Sequence, residues 1–490
     1  MPRLLPADCL NEIFEYFEKD KNTLYSCLLV NRLWCEVSVR ILWRNIWNFQ
    51  YGKYGIFYMP YQIRILMSII NTLISCLPNE SKELLYENGI NFKSKKSLFN
   101  YASFCRVLSI HGIDQMIQLV LRKQQSTTSN YQKNLLSQEI LKMFMNQVSS
   151  LRSLDIYSGY SKEIILDRFP GAKRCLNYLT EFKCSSDIDP KFFNQISRIC
   201  HNIQILNIKF GNDTSDGLAE LISSQNNLKS VTLQNYYTTT DNGKKVIDTL
   251  KKFSSTLIKL KIRKSYMPLL FISDFINLQE LILSSDYYGG CNYFNQLQDV
   301  TFPQLKVLKF YTFLEVEILI KFLEINGKNL RELYIRDENN SLNLAIAKFC
   351  PNLETLFTKF IDKEPETLKT ILTNCQNLEK INFWCGYRYL NEKEFLEILT
   401  EYSPKNFYKL EMYYVFNAQS KLFSKELENF FIDWNDRTSK KLLSLVIIKD
   451  HESLSLEEND KNMKIIQSYM KLGFIKNFRI RKYENNHYLY

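Results

Sequence analysis

Few side chains in this chain of 490 residues have the types and spacing that catalysis or metal binding requires. The four histidines are isolated, so the sequence offers no nucleophile–base pair, and His201 is interpreted as structural because it falls in a repeat turn. The twelve cysteines are scattered, without a CxxC pair or a nearby histidine cluster, which argues against zinc-finger sites and against a disulfide framework. P-loop, GxGxxG, GxSxG and HExxH motifs are missing from the sequence. The sequence therefore gives no argument for a catalytic site, and we expect no metal and no cofactor; the expected chemistry is recognition.

The first recognition element is an N-terminal group of helices rich in large apolar side chains. From Leu10 onward such residues recur at i, i+3, i+4 and i+7, which predicts an amphipathic helix that begins near Pro6. Asp20 or Asn22 can cap a second helix, and a third would carry Trp34. Three short helices have too much surface for their volume to bury all of these side chains. About half of them must therefore face a partner or the rest of the chain.

This stretch resembles the F-box family through an ordered series: Leu5-Pro6, Leu10, Ile13-Phe14, the run from Leu29 to Arg32, Trp34 and Leu42-Trp43. Cys9 and Phe17 depart from the commoner aliphatic residues but remain apolar. The resemblance implies docking onto a Skp-type adaptor and, through it, onto a cullin–RING ubiquitin ligase. It places seven residues at the adaptor interface: Leu5, Pro6, Leu10, Ile13, Phe14, Val30 and Trp34. The alternative is a helical cap whose tryptophans fill its own core.

The composition, with 45% hydrophobic and 23% charged residues, is that of a folded protein. A net charge of +11 favours acidic or phosphorylated ligands, whereas the dispersal of the basic residues disfavours a nucleic-acid partner. No signal peptide is recognised. The most apolar stretch, residues 63–77, contains polar side chains and is shorter than the roughly 20 residues of a membrane span. We expect no membrane partner and a cytoplasmic and/or nuclear location.

The chain is predicted to have three parts: an F-box over 1–47, a helical connector over 48–100 and a repeat domain over 101–490. In the connector a helix is expected over 61–77, ended by Pro78, with further helical turns over 81–86. Residues 104–110 are predicted to be a first strand and residues 112–123 a helix behind it. Residues 124–130, QQSTTSN, have the composition of a flexible excursion.

The remainder repeats the pattern LxxLxL, from Leu151-Leu154-Ile156 to a weak last copy, Ile475-Phe478-Ile480. Copies begin 21 to 35 residues apart, a spacing typical of leucine-rich repeats, and helical patterns such as 216–224 and 392–402 lie between them. One unit cannot bury its own apolar face, so stacked units must supply the neighbours. The predicted fold class is α/β: a three-helix F-box, a helical connector and a leucine-rich-repeat solenoid. Its curved parallel sheet would have about thirteen or fourteen strands, with helices on the convex side.

Two residue types mark the repeats. Seven copies place Asn just before the first apolar residue, which we interpret as a left-handed residue in a tight helix-to-strand turn. Three copies place Cys three residues before that apolar position, at Cys200, Cys350 and Cys375, where a small apolar residue suits a buried helix end. These features resemble the cysteine-containing leucine-rich repeats often joined to F-boxes.

The concave face of the sheet is the second expected recognition site. The leucines of LxxLxL point inward, so the residues between them and the residue after each copy are expected to face solvent. Five residues of that last column are basic and none is acidic. Aromatic residues and arginine, which are enriched at interface hot spots, occur together in the middle copies. The predicted substrate-binding residues are Tyr311, Tyr334, Arg336, Phe357, Lys359, Trp384 and Tyr413. Their expected ligand is an unknown protein substrate with an acidic or phosphorylated segment; the alternative is an ordinary solvated sheet face.

Two functions remain open from the sequence. The resemblance implies a non-catalytic substrate-recognition subunit of an SCF-type (Skp–cullin–F-box) ubiquitin ligase. The alternative is a leucine-rich-repeat scaffold that binds proteins outside a ubiquitin ligase.

Overall fold

A computed structural model of the chain describes residues 5–47, 60–92, 97–123, 129–157, 165–211, 213–234, 241–264, 267–284, 293–311, 314–362, 364–437 and 441–483. The chain divides into two compact units. The first comprises Met1–Lys229 and Thr239–Lys252, and the second comprises Ser230–Thr238 and Phe253–Tyr490.

The first unit begins with the three predicted helices, α1 (Ala7–Glu15), α2 (Lys21–Cys27) and α3 (Arg32–Leu42). The Asp20 carboxylate accepts a hydrogen bond from the backbone N–H of Thr23 at 3.1 Å and caps α2. The Asn31 side chain accepts one from the backbone N–H of Trp34 at 2.9 Å and caps α3. Each cap satisfies an N–H that has no partner inside the helix, which explains why both helices begin at these residues.

The rest of the first unit alternates helices with short strands. Its elements are α4 (Pro60–Ser75), α5 (Asn79–Glu87), β1 (Val107–Ser109), α6 (Ile110–Lys123), α7 (Asn130–Gln147), β2 (Ser153–Ile156), α8 (Ala172–Leu176), β3 (Glu181–Ser185), α9 (Pro190–Ile199), β4 (Ile205–Lys209), α10 (Asp216–Ser223) and α11 (Asp241–Leu250). Strands β1 to β4 pair in parallel and in chain order. The helices and the strand predicted between 61 and 123 are confirmed apart from their ends. Residues 124–128 of the predicted excursion lie outside the described residues.

The N-terminal helices join the first strand directly. The Arg44 carbonyl accepts hydrogen bonds from the backbone N–H groups of Arg106 at 2.9 Å and Val107 at 3.2 Å. The Arg106 carbonyl does the same for Arg152 and Ser153 in the next repeat, at 2.8 and 3.1 Å. Arg44 thus occupies the place of a preceding repeat. Since backbone hydrogen bonds fix relative position, α3 is held against β1 through this residue.

The second unit contains the remaining strands and the longer repeat helices. They are β5 (Ser230–Gln234), β6 (Lys259–Arg263), β7 (Glu280–Ser284), β8 (Val307–Phe310), α12 (Val316–Asn326), β9 (Glu332–Tyr334), α13 (Asn340–Phe349), β10 (Thr355–Phe357), α14 (Pro365–Asn374), β11 (Lys380–Cys385), α15 (Glu392–Tyr402), β12 (Lys409–Tyr414), α16 (Ser424–Asp436), β13 (Leu443–Lys449), α17 (Asp460–Lys471) and β14 (Ile475–Lys482). Strands β5 to β14 pair in parallel, each with the next in the chain.

The pairing register places equivalent positions of successive LxxLxL copies side by side, for example Leu333 beside Leu356. Both of these leucines are buried, as the pattern predicts. In the last copy Ile480 is exposed, because β14 is the edge strand of the sheet in the described chain. The α/β repeat fold predicted from the spacing is therefore confirmed.

The cysteines at the helix ends are buried and link neighbouring repeats. The Cys200 thiol donates to the Leu176 carbonyl at 3.3 Å, and the Cys375 thiol donates to the Cys350 carbonyl at 3.4 Å. In other repeats Gln225 and Asn326 take this place, and their amides donate to the carbonyls of Cys200 at 2.8 Å and Val300 at 2.9 Å. Each side chain supplies a donor to a buried carbonyl that would otherwise lack one.

The left-handed interpretation of the seven repeat asparagines is wrong. None of them is among the non-glycine residues of positive φ, which in the described chain are Lys264, Phe416 and Asn417. In three of them the amide donates to a carbonyl of the preceding repeat: Asn277 donates to that of Ser255 at 2.7 Å and Asn329 to that of Pro303 at 3.2 Å. Asn352 likewise donates to a carbonyl of the preceding repeat, that of Lys328, at 2.9 Å. A backbone acceptor in the adjacent repeat, rather than a strained turn, is the physical reason for Asn there.

Candidate functional site

The N-terminal helices divide their apolar residues between a core and a surface. Leu10 and Phe14 pack inside, with Leu24, Cys27, Val37 and Ile41. The half-buried Trp34 ring stands edge-on to the Phe14 ring, with centroids 5.1 Å apart. Of the predicted adaptor-binding residues, Leu10 and Phe14 therefore stabilise the helical core and leave little surface for a partner.

The other predicted adaptor-binding residues lie on the surface. Leu5, Pro6, Ile13 and Val30 are exposed, as is Leu29 beside them in the sequence. Exposed branched side chains gain free energy when a partner covers them. Leu10 and Phe14 thus support the helical core, whereas the exposed residues are open to contact by a partner. Adaptor binding itself stays a prediction.

An ion pair anchors α1 to the segment that follows α3. The Arg44 guanidinium forms two hydrogen bonds with the Glu15 carboxylate, one of them at 2.5 Å. These bonds lower the pKa of Glu15. Because the Arg44 carbonyl also binds the N–H groups ahead of β1, one residue connects the helices to the repeat.

A cavity of about 790 Å³ lies on one face of the sheet in the second unit, where the sequence predicts the second recognition site. Strands β8 to β14 supply its walls through the residues between and after the leucines, with Tyr483 from the segment beyond β14. The lining residues are Lys309, Tyr311, Glu332, Leu333, Tyr334, Thr355, Phe357, Lys380, Asn382, Lys409, Glu411, Tyr413, Ile448, Arg481, Lys482 and Tyr483.

Four of the seven predicted substrate-binding residues line this cavity: Tyr311, Tyr334, Phe357 and Tyr413. The rings of Tyr334 and Phe357 are stacked, with centroids 3.7 Å apart, and Tyr311 lies 4.6 Å from Tyr334. The Tyr413 ring meets Phe357 edge-on at 5.4 Å. The four rings therefore form one continuous aromatic wall.

The predicted solvent exposure is wrong for four of the seven residues. Phe357, Lys359, Trp384 and Tyr413 are all buried. Adjacent strands lie about 4.8 Å apart, so bulky side chains at equivalent positions cover one another. Trp384 stacks on Tyr413 with a centroid distance of 5.5 Å, and its indole N–H has no hydrogen-bond partner in the described chain. Substrate contact by these residues remains a prediction.

Lys359 is engaged within the chain. Its ammonium lies 2.6 Å from the Glu338 carboxylate and 4.8 Å from the centre of the Trp384 ring. Glu338 also accepts a hydrogen bond from the Tyr389 hydroxyl at 3.0 Å. Burial lowers the pKa of Lys359 although Glu338 opposes that change. Lys359, Trp384 and Arg336 are not among the lining residues, so the structure does not bring these three into the cavity.

A buried carboxylate between two lysines forms part of the cavity wall. Glu411 lies 3.1 Å from the Lys380 ammonium and 2.9 Å from that of Lys409. It also accepts a hydrogen bond from the Asn382 amide at 2.9 Å. Burial alone would raise the pKa of Glu411, but the two lysines hold it below its ordinary value. The carboxylate is therefore charged at neutral pH.

The predicted site contained none of the seven charged residues that line the cavity: Lys309, Glu332, Lys380, Lys409, Glu411, Arg481 and Lys482. Lys380 and Lys409 occupy the position just before the second leucine of their copies. Lys309 and Glu411 occupy the position between the last two apolar residues. The same repeat pattern could have located them, since alternate strand positions share a face.

Two other kinds of site are absent from the described residues. No group of three or more His, Cys, Asp or Glu side chains there could hold a metal ion. In the same part of the chain, no helix combines the length and apolar character of a membrane span.

The fold is a leucine-rich-repeat solenoid. Three features define this class: parallel strands at the LxxLxL copies, helices between the strands, and side-chain hydrogen bonds between neighbouring repeats. No protein-family model and no curated protein matches the sequence.

Two solved structures are similar to the chain at low sequence identity. One is the complex of Rad7 and Elc1 from yeast, with 12% identity, 87% of this chain and 91% of that chain covered, and a TM-score of 0.39. The other is the leucine-rich-repeat-containing protein LegL7 from Legionella pneumophila, with 13% identity, 65% and 89% covered, and a TM-score of 0.34.

Proposed function

We propose that this chain is the substrate-recognition subunit of an SCF-type ubiquitin ligase. In this proposal the N-terminal helices are an F-box that docks a Skp-type adaptor and, through it, a cullin–RING ligase. The face of the sheet in the second unit binds the protein substrate. The chain itself supplies no catalytic residue and works in the cytoplasm or the nucleus.

One observation carries the proposal: exposed apolar residues lie on a helical unit that is bonded to the first strand of a repeat protein. Ile13 and Val30 remain open while Leu10 and Phe14 complete the core beneath. A unit with a finished core does not need these exposed side chains for its own stability. The Arg44 bonds to β1 support a fixed docking position rather than a flexible tether.

Co-purification tests the proposal. The full chain would be expressed with a Skp-type adaptor and a cullin, and the complex isolated by size-exclusion chromatography. We expect a stable complex of all three proteins. If the chain elutes alone while remaining folded, the alternative function, a repeat scaffold that acts outside a ubiquitin ligase, takes its place.

A further inference from the structure

The cavity in the second unit carries an excess of positive charge. Its lining has five cationic side chains and two carboxylates, a formal excess of three positive charges. The carboxylates are already paired: Glu332 lies 3.0 Å from Lys309, and Glu411 lies between Lys380 and Lys409. The cations in excess of these pairs therefore favour an anionic ligand.

Two of the cations are not engaged by other described residues. The side chains of Arg481 and Lys482, at the end of β14, make no ion pair or hydrogen bond within the described residues. Both are exposed and line the cavity. A ligand can bind them without breaking a contact to another described residue.

The polar groups of the cavity suit a peptide. Asn382 is buried beside the cavity, and its side-chain oxygen is an acceptor without a hydrogen-bond partner in the described chain. Tyr413 lies nearby, with its hydroxyl 3.2 Å from the Asn382 amide nitrogen. Burial raises the pKa of Tyr311 to about 12, so that hydroxyl keeps its proton at neutral pH.

The aromatic wall disfavours nucleic-acid bases. Tyr334 has Tyr311 and Phe357 as ring neighbours, and Tyr413 packs on Trp384 and Phe357. Single-stranded nucleic acid binds by stacking its bases on free ring faces. Rings that already stack on one another offer little of that surface but still present apolar edges to a side chain.

We propose that this cavity binds a short segment of a partner protein that is rich in Asp and Glu. A cavity of about 790 Å³ lies within the range of sites that bury a drug-sized ligand, which corresponds to a few residues. The carboxylates of the segment pair with Arg481, Lys482 and the lysines of the wall. Single carboxylates match this site better than phosphate does, because the lining contains one arginine, Arg481, whereas phosphate recognition commonly uses clusters of arginines.

The inference deepens the proposed function by naming the class of substrate segment, and it rests on that function for the role of the site. Its test needs no adaptor. A library of random peptides displayed on phage would be selected on the purified full chain, and the enriched sequences compared with the starting library. We expect enrichment of Asp and Glu together with apolar residues. Equal or lower acidic content after selection would overturn the proposal.

A charge-matched pair of variants locates the binding. Arg481→Gln with Lys482→Gln removes two exposed charges from the cavity, whereas Lys464→Gln with Lys471→Gln removes two exposed charges from α17. For a synthetic peptide from the selection we expect about fivefold to thirtyfold weaker binding to the first variant. Binding to the α17 variant should be unchanged. Equal losses in both variants would reduce the effect to net charge and overturn the assignment to this cavity.

Two further probes distinguish other anions. A version of the selected peptide with phosphoserine in place of Asp would overturn the choice of carboxylate if it bound more than tenfold tighter. Oligothymidylate and unlabelled peptide would each compete with labelled peptide for the chain. If oligothymidylate displaced the labelled peptide at the lower concentration, the cavity would be a nucleic-acid site and the proposal would be overturned. Co-purification with the adaptor is a separate measurement. Failure of adaptor docking therefore leaves the peptide-binding result interpretable, and failure of peptide binding leaves the docking result interpretable.

Discussion

Replacement of Ile13 and Val30 by Ala should weaken adaptor binding without unfolding the N-terminal helices. Both side chains are open to solvent: Ile13 exposes 41% and Val30 56% of its surface. Neither belongs to the buried cluster around Phe14. The helical core should therefore survive the double substitution Ile13→Ala and Val30→Ala.

The size of the effect follows from the area still to be covered. Complete burial of a branched apolar side chain is worth about 1.5–3 kcal/mol. About half of that remains available at each position, or about 0.7–1.5 kcal/mol per residue. If the two contributions add, the loss is about 1.5–3 kcal/mol, which corresponds to about tenfold to a hundredfold in affinity.

Isothermal titration calorimetry of the purified chain against a Skp-type adaptor would measure this loss. A matched control replaces Ile325 and Ile276, which expose 40% and 58% of their surface in the second unit, by Ala. The control removes similar apolar area and should leave adaptor affinity unchanged. Circular dichroism of each variant should match that of the unchanged chain.

The reasoning is refuted if the Ile13 and Val30 variant binds the adaptor as tightly as the unchanged chain. It is also refuted if the control variant loses as much affinity. In the first case the exposed residues are not the contact surface, and in the second the effect comes from general loss of apolar area.

Three further predictions concern stability. Phe14→Ala should destabilise the N-terminal helices by about 3–5 kcal/mol because it leaves a cavity in their core, seen as faster amide hydrogen exchange in α1 to α3. Asn326→Leu should lower the free energy of unfolding by about 1–3 kcal/mol in urea, since it leaves the Phe302 N–H and the Val300 carbonyl without their partner. Glu411→Gln should destabilise the second unit at neutral pH. Because the pKa of Glu411 is lowered on folding, its contribution is present above the unfolded value of about 4.3 and is lost as pH falls through the folded value. The difference between variant and unchanged chain in urea unfolding should therefore shrink at acidic pH.

Each of these has a contrary outcome. Exchange that accelerates equally in the second unit would contradict a local role for Phe14. Asn295 is exposed in the second unit, and Asn295→Leu should change stability little; an equal loss from this control would remove the argument for the Asn326 bonds. A Glu411→Gln difference that stays constant down to pH 3 would show that charge on Glu411 does not stabilise the fold.

The sequence by itself determined the architecture of this protein. The LxxLxL pattern located the strands, because side chains in a strand alternate between two faces and the leucines must share the buried one. Leu10, Ile13 and Phe14 located the first helix through a spacing of three and four residues. Asp20 marked the start of the second helix, because a side-chain cap acts within a few residues of its own position. Such signals are local, so a single sequence carries them.

Tertiary structure alone decided what each surface position can do. Phe357 and Trp384 occupy positions expected to face solvent, yet they are buried because equally bulky rings stand beside them on neighbouring strands. Glu411 meets Lys380 only because β11 and β12 pair in register, with Lys380 opposite Lys409. Such lateral contacts depend on the volume and charge of residues in other repeats. The apolar pattern of a single repeat cannot predict these contacts, because the packing of the whole sheet sets the distance between repeats.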